Sequence, residues 1–223
     1  MIDPMARSAM NNHAIVARLL DPPSDLPVLD VGAGVGNFTA HLVARGYAAI
    51  AFDIDQHDYQ RAGHSAAPFF AVDLDDELPV APESAAGAVA IEVLEHVEAP
   101  MRLLRHMAKA IVPGGFVIVT TPNLMSWGSR LELLVRGHHE HFGDKEYEAN
   151  GHISPTPLVQ LRRMARRLNL KTEVVTYNIG RLPLPKLHRH PLTRPRFRIQ
   201  GLGECVIVRF RKLGPPLDGY ERG

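Results

Sequence analysis

The stretch that most constrains this chain is Val28-Leu29-Asp30-Val31-Gly32-Ala33-Gly34-Val35-Gly36-Asn37-Phe38. Val28, Leu29 and Val31 read as a short buried strand. Three glycines at alternate positions then call for a turn whose backbone angles, or whose approach to a ligand, a Cβ would obstruct. Beyond Val35, Phe38, Leu42 and Val43 fall at helical spacing. The order strand, glycine turn, helix brings a ligand to the carboxyl end of a strand in an open α/β sheet. A dinucleotide site would space its glycines Gly-x-Gly-x-x-Gly and set a pyrophosphate on the helix N-terminus. Here the spacing is Asp-x-Gly-x-Gly-x-Gly, with an acid in the strand end, which suits a cation better than a pyrophosphate.

The rest of the chain repeats the unit. Ala9, His13, Val16, Ala17 and Leu20 predict an amphipathic helix over Arg7–Leu20, ended by Asp21-Pro22-Pro23-Ser24. Tyr47–Phe52 reads as a second strand followed by Asp53-Ile54-Asp55, and Pro68–Val72 as a third closed by Asp73-Leu74. A short helix is expected near Asp58–Ser65. Ala86–Ile91 suits a strand buried on both faces. A helix over Ala99–Val112 is stopped by Pro113-Gly114-Gly115, and Phe116–Thr120 is a fifth strand. Strands alternating with helices through short links predict a mostly parallel sheet covered on both faces.

Residues 124–154 are then expected as a substrate-loop insertion, with a helix over Leu124–Val135 and the histidine-rich run Gly137–Phe142 as solvated loop. A helix after Ser154-Pro155 carries Leu158, Leu161, Met164, Ala165 and Leu168 on one face. Lys171–Tyr177 and Glu204–Arg211 are the sixth and seventh strands. Between them, residues 181–200 hold four prolines and no acid, which excludes a regular helix or central strand. This segment is expected as a basic loop at the acceptor mouth, and 214–223 as a frayed tail.

At 223 residues the chain suits one domain, taken as residues 1–213. No apolar run approaches membrane-spanning length, and no charged-then-apolar leader opens the sequence. The only cysteine, Cys205, excludes an internal disulfide and fits a reducing cytoplasm. Residues 1–100 carry a net −11 and the remainder +12. That asymmetry reads either as solvated helix faces or as a basic rim that draws in an anionic acceptor.

The glycine stretch resembles the first motif of the class I S-adenosylmethionine (SAM) methyltransferases, and the Pro-Gly-Gly turn and Thr121-Pro122-Asn123 resemble their later motifs. The resemblance covers most of residues 26–123. It implies a seven-stranded Rossmann-like sheet with an antiparallel hairpin at its C-terminal edge, and SAM as cofactor. The implied cofactor set is Asp30, Gly32, Ala33, Gly34, Asp53, Ile54, Asp73, Leu74 and Glu92. In that family the glycine loop packs on the methionine part and the acid at Asp30 helps hold its ammonium. An acid at the end of the second strand can accept from both ribose hydroxyls. Asp53 is preferred over Asp55, and a helix N-cap is the plainer reading of either. The position of Asp73 matches the acceptor for the adenine amino group, with the amide of Leu74 facing the ring. Asp75, Asp76 and Glu77 read as solvated loop charges.

Glu92-Val93-Leu94-Glu95-His96 resembles the ubiquinone-biosynthesis O-methyltransferases and the small-RNA 3′-end 2′-O-methyltransferases. Glu92, Glu95, His96 and, from the later loop, His152 offer donors suited to Mg²⁺, Mn²⁺, Fe²⁺ or Zn²⁺. The alternative is a metal-free site, in which Glu92 faces the cofactor and His96, or secondarily His152, acts as general base. The expected activity is O-methylation of a small-molecule hydroxyl on a sugar, lipid-linked or quinone-like acceptor. The rivals are 2′-O-methylation of RNA and a non-catalytic SAM-binding protein.

Overall fold

The computed structural model describes residues 12–61, 67–178 and 201–217. The expected helical residues 7–11 and 62–65, the basic segment 181–200 and the end of the tail, 218–223, lie outside the described residues. In chain order the elements are β1 (Val28–Val31), α1 (Asn37–Ala44), β2 (Ala49–Asp53), α2 (Gln56–Arg61), β3 (Phe69–Ala71), β4 (Ala85–Ile91) and α3 (Pro100–Ala110). They continue with β5 (Ile111–Pro122), α4 (Trp127–Arg136), α5 (Asp144–Asn150), α6 (Leu158–Arg167), β6 (Leu170–Tyr177) and β7 (Cys205–Lys212). Residues 12–16 form a further helical turn ahead of β1.

The strands make one sheet in the order β3-β2-β1-β4-β5-β7-β6. Strands β1 to β5 pair in parallel, and β7 inserts antiparallel between β5 and β6. This is the expected seven-stranded sheet with its antiparallel edge. The order reverses at β1, between β2 and β4, and in open α/β sheets ligands bind outside the carboxyl ends of the strands at such a reversal.

Alternation along each strand builds two cores. Leu29, Val31, Val117, Val119, Val206, Val208 and Phe210 face Leu103, Leu104 and Met107 of α3 and Leu161, Met164 and Ala165 of α6. Val28, Val89, Phe116, Ile118 and Ile207 face the other way, against Phe38 and Leu42 of α1 and Ile15 and Val16 of the N-terminal turn. Among the described residues no helix is long and apolar enough to cross a membrane.

Three local expectations are corrected. Helix α3 stops at Ala110, and Pro113-Gly114-Gly115 lies within β5, where the pairing with β4 shifts register between Ala85 and Gly87. Asp75 is not a solvated loop charge. Its carboxylate accepts from the amides of Glu98 at 2.9 Å and Ala99 at 3.0 Å. Ala99 is the N-cap of α3 and offers no side-chain acceptor, so Asp75 satisfies from outside the amides that a helix start leaves unpaired. Residues 137–142 are half-buried for the most part, not solvated loop.

Candidate functional site at the mouth of the sheet

The glycine turn follows β1 as its sequence requires. Gly32, Gly34 and Gly36 have φ of 77, 52 and 81°. A Cβ on Gly32 would lie 2.3 Å from Val93 Cγ2, whereas one on Gly34 would meet nothing within 4 Å, so Gly34 borders open space. Asp30, 2% exposed at the end of β1, accepts from Thr39 Oγ1 of α1 at 2.5 Å. Burial raises its pKa to about 6, with the Asp53 charge adding to the rise and the Thr39 hydrogen bond opposing it. Asp53, at the end of β2, accepts from the Gly34 amide at 2.7 Å through Oδ2 and from the Asp55 amide at 3.2 Å through Oδ1. The first and second strand ends are thus joined through one carboxylate. Ile54 next to it is 71% exposed. At the end of β3, Asp73 is exposed and turns back to accept from the Asp75 amide at 3.0 Å, with Leu74 half-buried beside it.

The end of β4 carries the second cluster. Glu92 adopts φ 58°, a left-handed conformation rare for a side chain of its kind. Its amide donates to Thr120 Oγ1 of β5 at 2.9 Å. Its carboxylate takes a hydrogen bond from Asn12 Nδ2 at 2.7 Å and another from the Cys205 thiol of β7. Glu92 is therefore committed to the N-terminal turn and β7, and stays outside the group formed by the other three expected metal donors.

Glu95, His96 and His152 do come together, with one donor atom of each within 4.8 Å of the others. Glu95 is 1% exposed, and its Oε2 is buried with no hydrogen-bond partner among the described residues. Burial, reinforced by the Glu92 charge, raises its pKa to about 8. His96 and His152 meet edge to face at 4.7 Å between ring centres. Burial and the neighbouring His152 lower the His96 pKa. The segment bearing His152 is pinned by backbone: the amides of Ile153 and Ser154 donate to the Glu95 carbonyl at 2.8 and 3.0 Å. His152 Nδ1 lies 2.8 Å from the His141 carbonyl. A carbonyl can only accept, so Nδ1 carries the proton and Nε2 is the basic nitrogen.

Sequence reasoning missed Asn12, Thr39, Thr120 and Cys205 as partners of the site. Thr39 lies nine positions from Asp30, while Asn12, Thr120 and Cys205 act on Glu92 from 80, 28 and 113 positions away, and only the two consecutive threonines at the end of the fifth strand were a visible signal.

The chain matches the family described as a methyltransferase domain over residues 6–175. It is 30% identical over 112 residues to a ubiquinone biosynthesis O-methyltransferase of Parvibaculum lavamentivorans, covering 48% of this chain and 44% of the relative. It is 29% identical over 188 residues to a ubiquinone biosynthesis O-methyltransferase of Thiobacillus denitrificans, covering 75% of this chain and 74% of the relative. The chain spans less than half the length of two of the curated relatives it matches. A solved SAM-dependent methyltransferase of Thermotoga maritima superposes with a TM-score of 0.65 at 18% identity, over 92% of this chain and 89% of that one.

Proposed function

Because the chain belongs to the class I SAM-dependent methyltransferases, we propose that it methylates a hydroxyl of a small-molecule acceptor at the mouth of the sheet. SAM supplies a methyl group on a sulfonium that is already activated for transfer. The residues present fit it: a buried acid at Asp30, open space at Gly34 and a ribose-type acceptor at Asp53. In this reading Asp30, Gly32, Ala33 and Gly34 hold the methionine end, Asp53 and Ile54 the ribose, and Asp73 and Leu74 the adenine. Glu92 shapes the wall between cofactor and acceptor.

The observation that carries the acceptor side is the hydrogen bond from His152 Nδ1 to the His141 carbonyl, which makes Nε2 the proton acceptor. His152, with His96 beside it, removes the hydroxyl proton as the new O–C bond forms and the S–C bond breaks. The distant ubiquinone O-methyltransferases support oxygen as the methylated atom. The single, free cysteine supports a reducing cytoplasm.

A second reading is favoured by the orphaned Oε2 of Glu95. Glu95, His96 and His152 fit a divalent metal, since one carboxylate and two imidazoles converge and His152 is oriented by a carbonyl as metal-bound histidines are. Such an ion would polarise the acceptor oxygen. Glu95 would first have to release its proton, so loading would strengthen with rising pH.

An acceptor panel assayed with and without chelator tests both. We expect His152→Ala to lower kcat by roughly 10²–10⁴ with SAM affinity retained. Insensitivity to chelator supports the base; loss of activity restored by Mg²⁺, Mn²⁺ or Fe²⁺ supports the metal. Full activity in both His96→Ala and His152→Ala would remove this assignment.

A further inference from the structure

Helix α1 starts without a cap of its own. Its N-cap is Gly36, at φ 81°, which has no side chain to accept from the first turn. The amides that open a helix need an acceptor, and Asp30 supplies one from the end of β1. Its Oδ2 accepts from the Thr39 hydroxyl at 2.5 Å. The Thr39 amide, in the first turn of the helix, also favours the charged carboxylate, and a negative group there meets the positive end of the helix. Asp30 and Thr39 are 2 and 0% exposed. Water does not compete for this hydrogen bond, and a charged acceptor makes it one of the strong kind.

A threonine hydroxyl has one proton to give, and Oδ2 takes it. Thr39 thereby selects the oxygen of Asp30 that serves the helix and fixes the turn of its carboxyl plane. The glycine turn begins two residues later, and Gly34 borders open space. We propose that Thr39 is a positioning residue for the cofactor: its hydroxyl holds Asp30 Oδ2 to α1 and so presents the carboxylate charge to the ammonium of SAM. Thr39 acts through Asp30 and does not itself touch SAM. The assignment rests on SAM occupying the glycine turn.

Two further titratable groups bear on Asp30 among the described residues. Asp53, at the end of β2, is a like charge and raises its pKa. Tyr59 of α2 is 2% exposed. Burial, together with the Asp30 charge, raises the pKa of Tyr59, so its phenol is neutral at the pH values that matter here. Thr39 opposes both burial and Asp53, and favours the charged form that an ammonium requires.

Calorimetry of the full chain with SAM between about pH 5.5 and 8 tests this, with the Asp30 carboxyl followed by carbon-13 NMR in the ligand-free protein. Thr39→Val keeps the shape and removes the donor. Its Asp30 should titrate about one pH unit higher. SAM binding should weaken by roughly tenfold below about pH 6, and the difference should close towards about pH 8, where Asp30 is ionised in both proteins. The amine of SAM titrates alike in every variant and cancels from this ratio. Thr39→Ser keeps the hydroxyl and should restore both the titration and the affinity. Thr39→Ala gives the same test if the valine variant does not fold. Added to Asp30→Asn, Thr39→Val should change SAM affinity by less than about twofold, because its effect runs through Asp30. A loss of affinity equal at every pH, or an Asp30 titration that does not move, would make Thr39 a purely structural residue and overturn the proposal. Failure of the cofactor assignment looks different: Asp30→Asn would bind SAM as the unsubstituted protein does, and the role of Thr39 would fall with it.

Discussion

Asp30 shows how the site residues set stability against function. It is buried under α1 with Thr39 as its hydrogen-bond donor, and burial raises its pKa to about 6. The native state therefore binds a proton that the unfolded chain has already released between about pH 4 and 6. The stabilisation it gives is fully present below the unfolded pKa and is lost as pH rises through the folded value. The shift corresponds to roughly 3 kcal/mol. Asn in its place keeps an acceptor for Thr39 and removes the charge. Asp30→Asn should raise the melting temperature of the ligand-free protein at pH 8 and flatten its decline between pH 4 and 7. SAM affinity should fall, because the acid proposed to meet the ammonium is gone. In the unsubstituted protein SAM binding should strengthen from pH 5 to 7 with uptake of the proton by buffer, and calorimetry in two buffers of different ionisation enthalpy checks this. Equal SAM affinity in the variant would separate Asp30 from the cofactor.

Among the elements, β7 ties the molecule together. Arg209, with its side chain 8% exposed, donates to Asp21 Oδ1 at 2.7 Å and to Glu173 Oε2 at 2.8 Å, and it also reaches the Leu19 carbonyl. Arg211 repeats the pairing, with Asp21 Oδ2 at 2.6 Å and Glu173 Oε1 at 3.1 Å. The segment before β1 is thereby fastened to β7 and β6. Burial works against the Asp21 carboxylate, but the hydrogen bonds and charges of Arg211 and Arg209 outweigh it and lower its pKa. The Arg211 hydrogen bond leads the lowering at Glu173. Depressed carboxylates stabilise above their unfolded pKa, and that contribution disappears as pH falls through the folded value. Asp21→Ala should cost about 1–3 kcal/mol at pH 7. The difference in melting temperature from the unsubstituted protein should shrink below about pH 4. A constant difference across pH would show that packing, not charge, holds the segment.

The same elements mark what was legible in the sequence. Strands β1, β2, β3 and β4 are short apolar runs that contain or lead into an acid, so the strand ends and the acids Asp30, Asp53 and Asp73 could be read directly. Helix α5, with no buried residue, has no apolar face for periodicity to detect. The holding of Glu92 by Asn12 and Cys205 spans 80 and 113 positions of chain. No local pattern encodes such pairings, which is why Glu92 was grouped with the metal donors and Cys205 read only for its redox state. Glu95, His96 and His152 were legible as residue types. Their convergence depends on two amides of one loop binding the Glu95 carbonyl, which is tertiary information.

At the scale of the whole molecule, the reversal of strand order at β1 puts the glycine turn, Asp53 and the Glu95–His96–His152 group on one edge of the sheet. The proposed cofactor side draws on the ends of β1, β2 and β3, and the proposed acceptor side on the end of β4 and the segment after β5. The central proposal is that SAM fills the space at Gly34 and Asp53. The most direct measurement is calorimetric titration of the full chain with SAM and with NAD, for the unsubstituted protein, Asp53→Ala and Gly34→Val. SAM should bind at one site and NAD should not bind. Asp53→Ala should weaken SAM by about 1–3 kcal/mol. Gly34→Val should abolish binding, because its side chain enters the open space at a positive φ that valine resists. Binding of NAD in place of SAM, or undiminished SAM affinity in both variants, would contradict it.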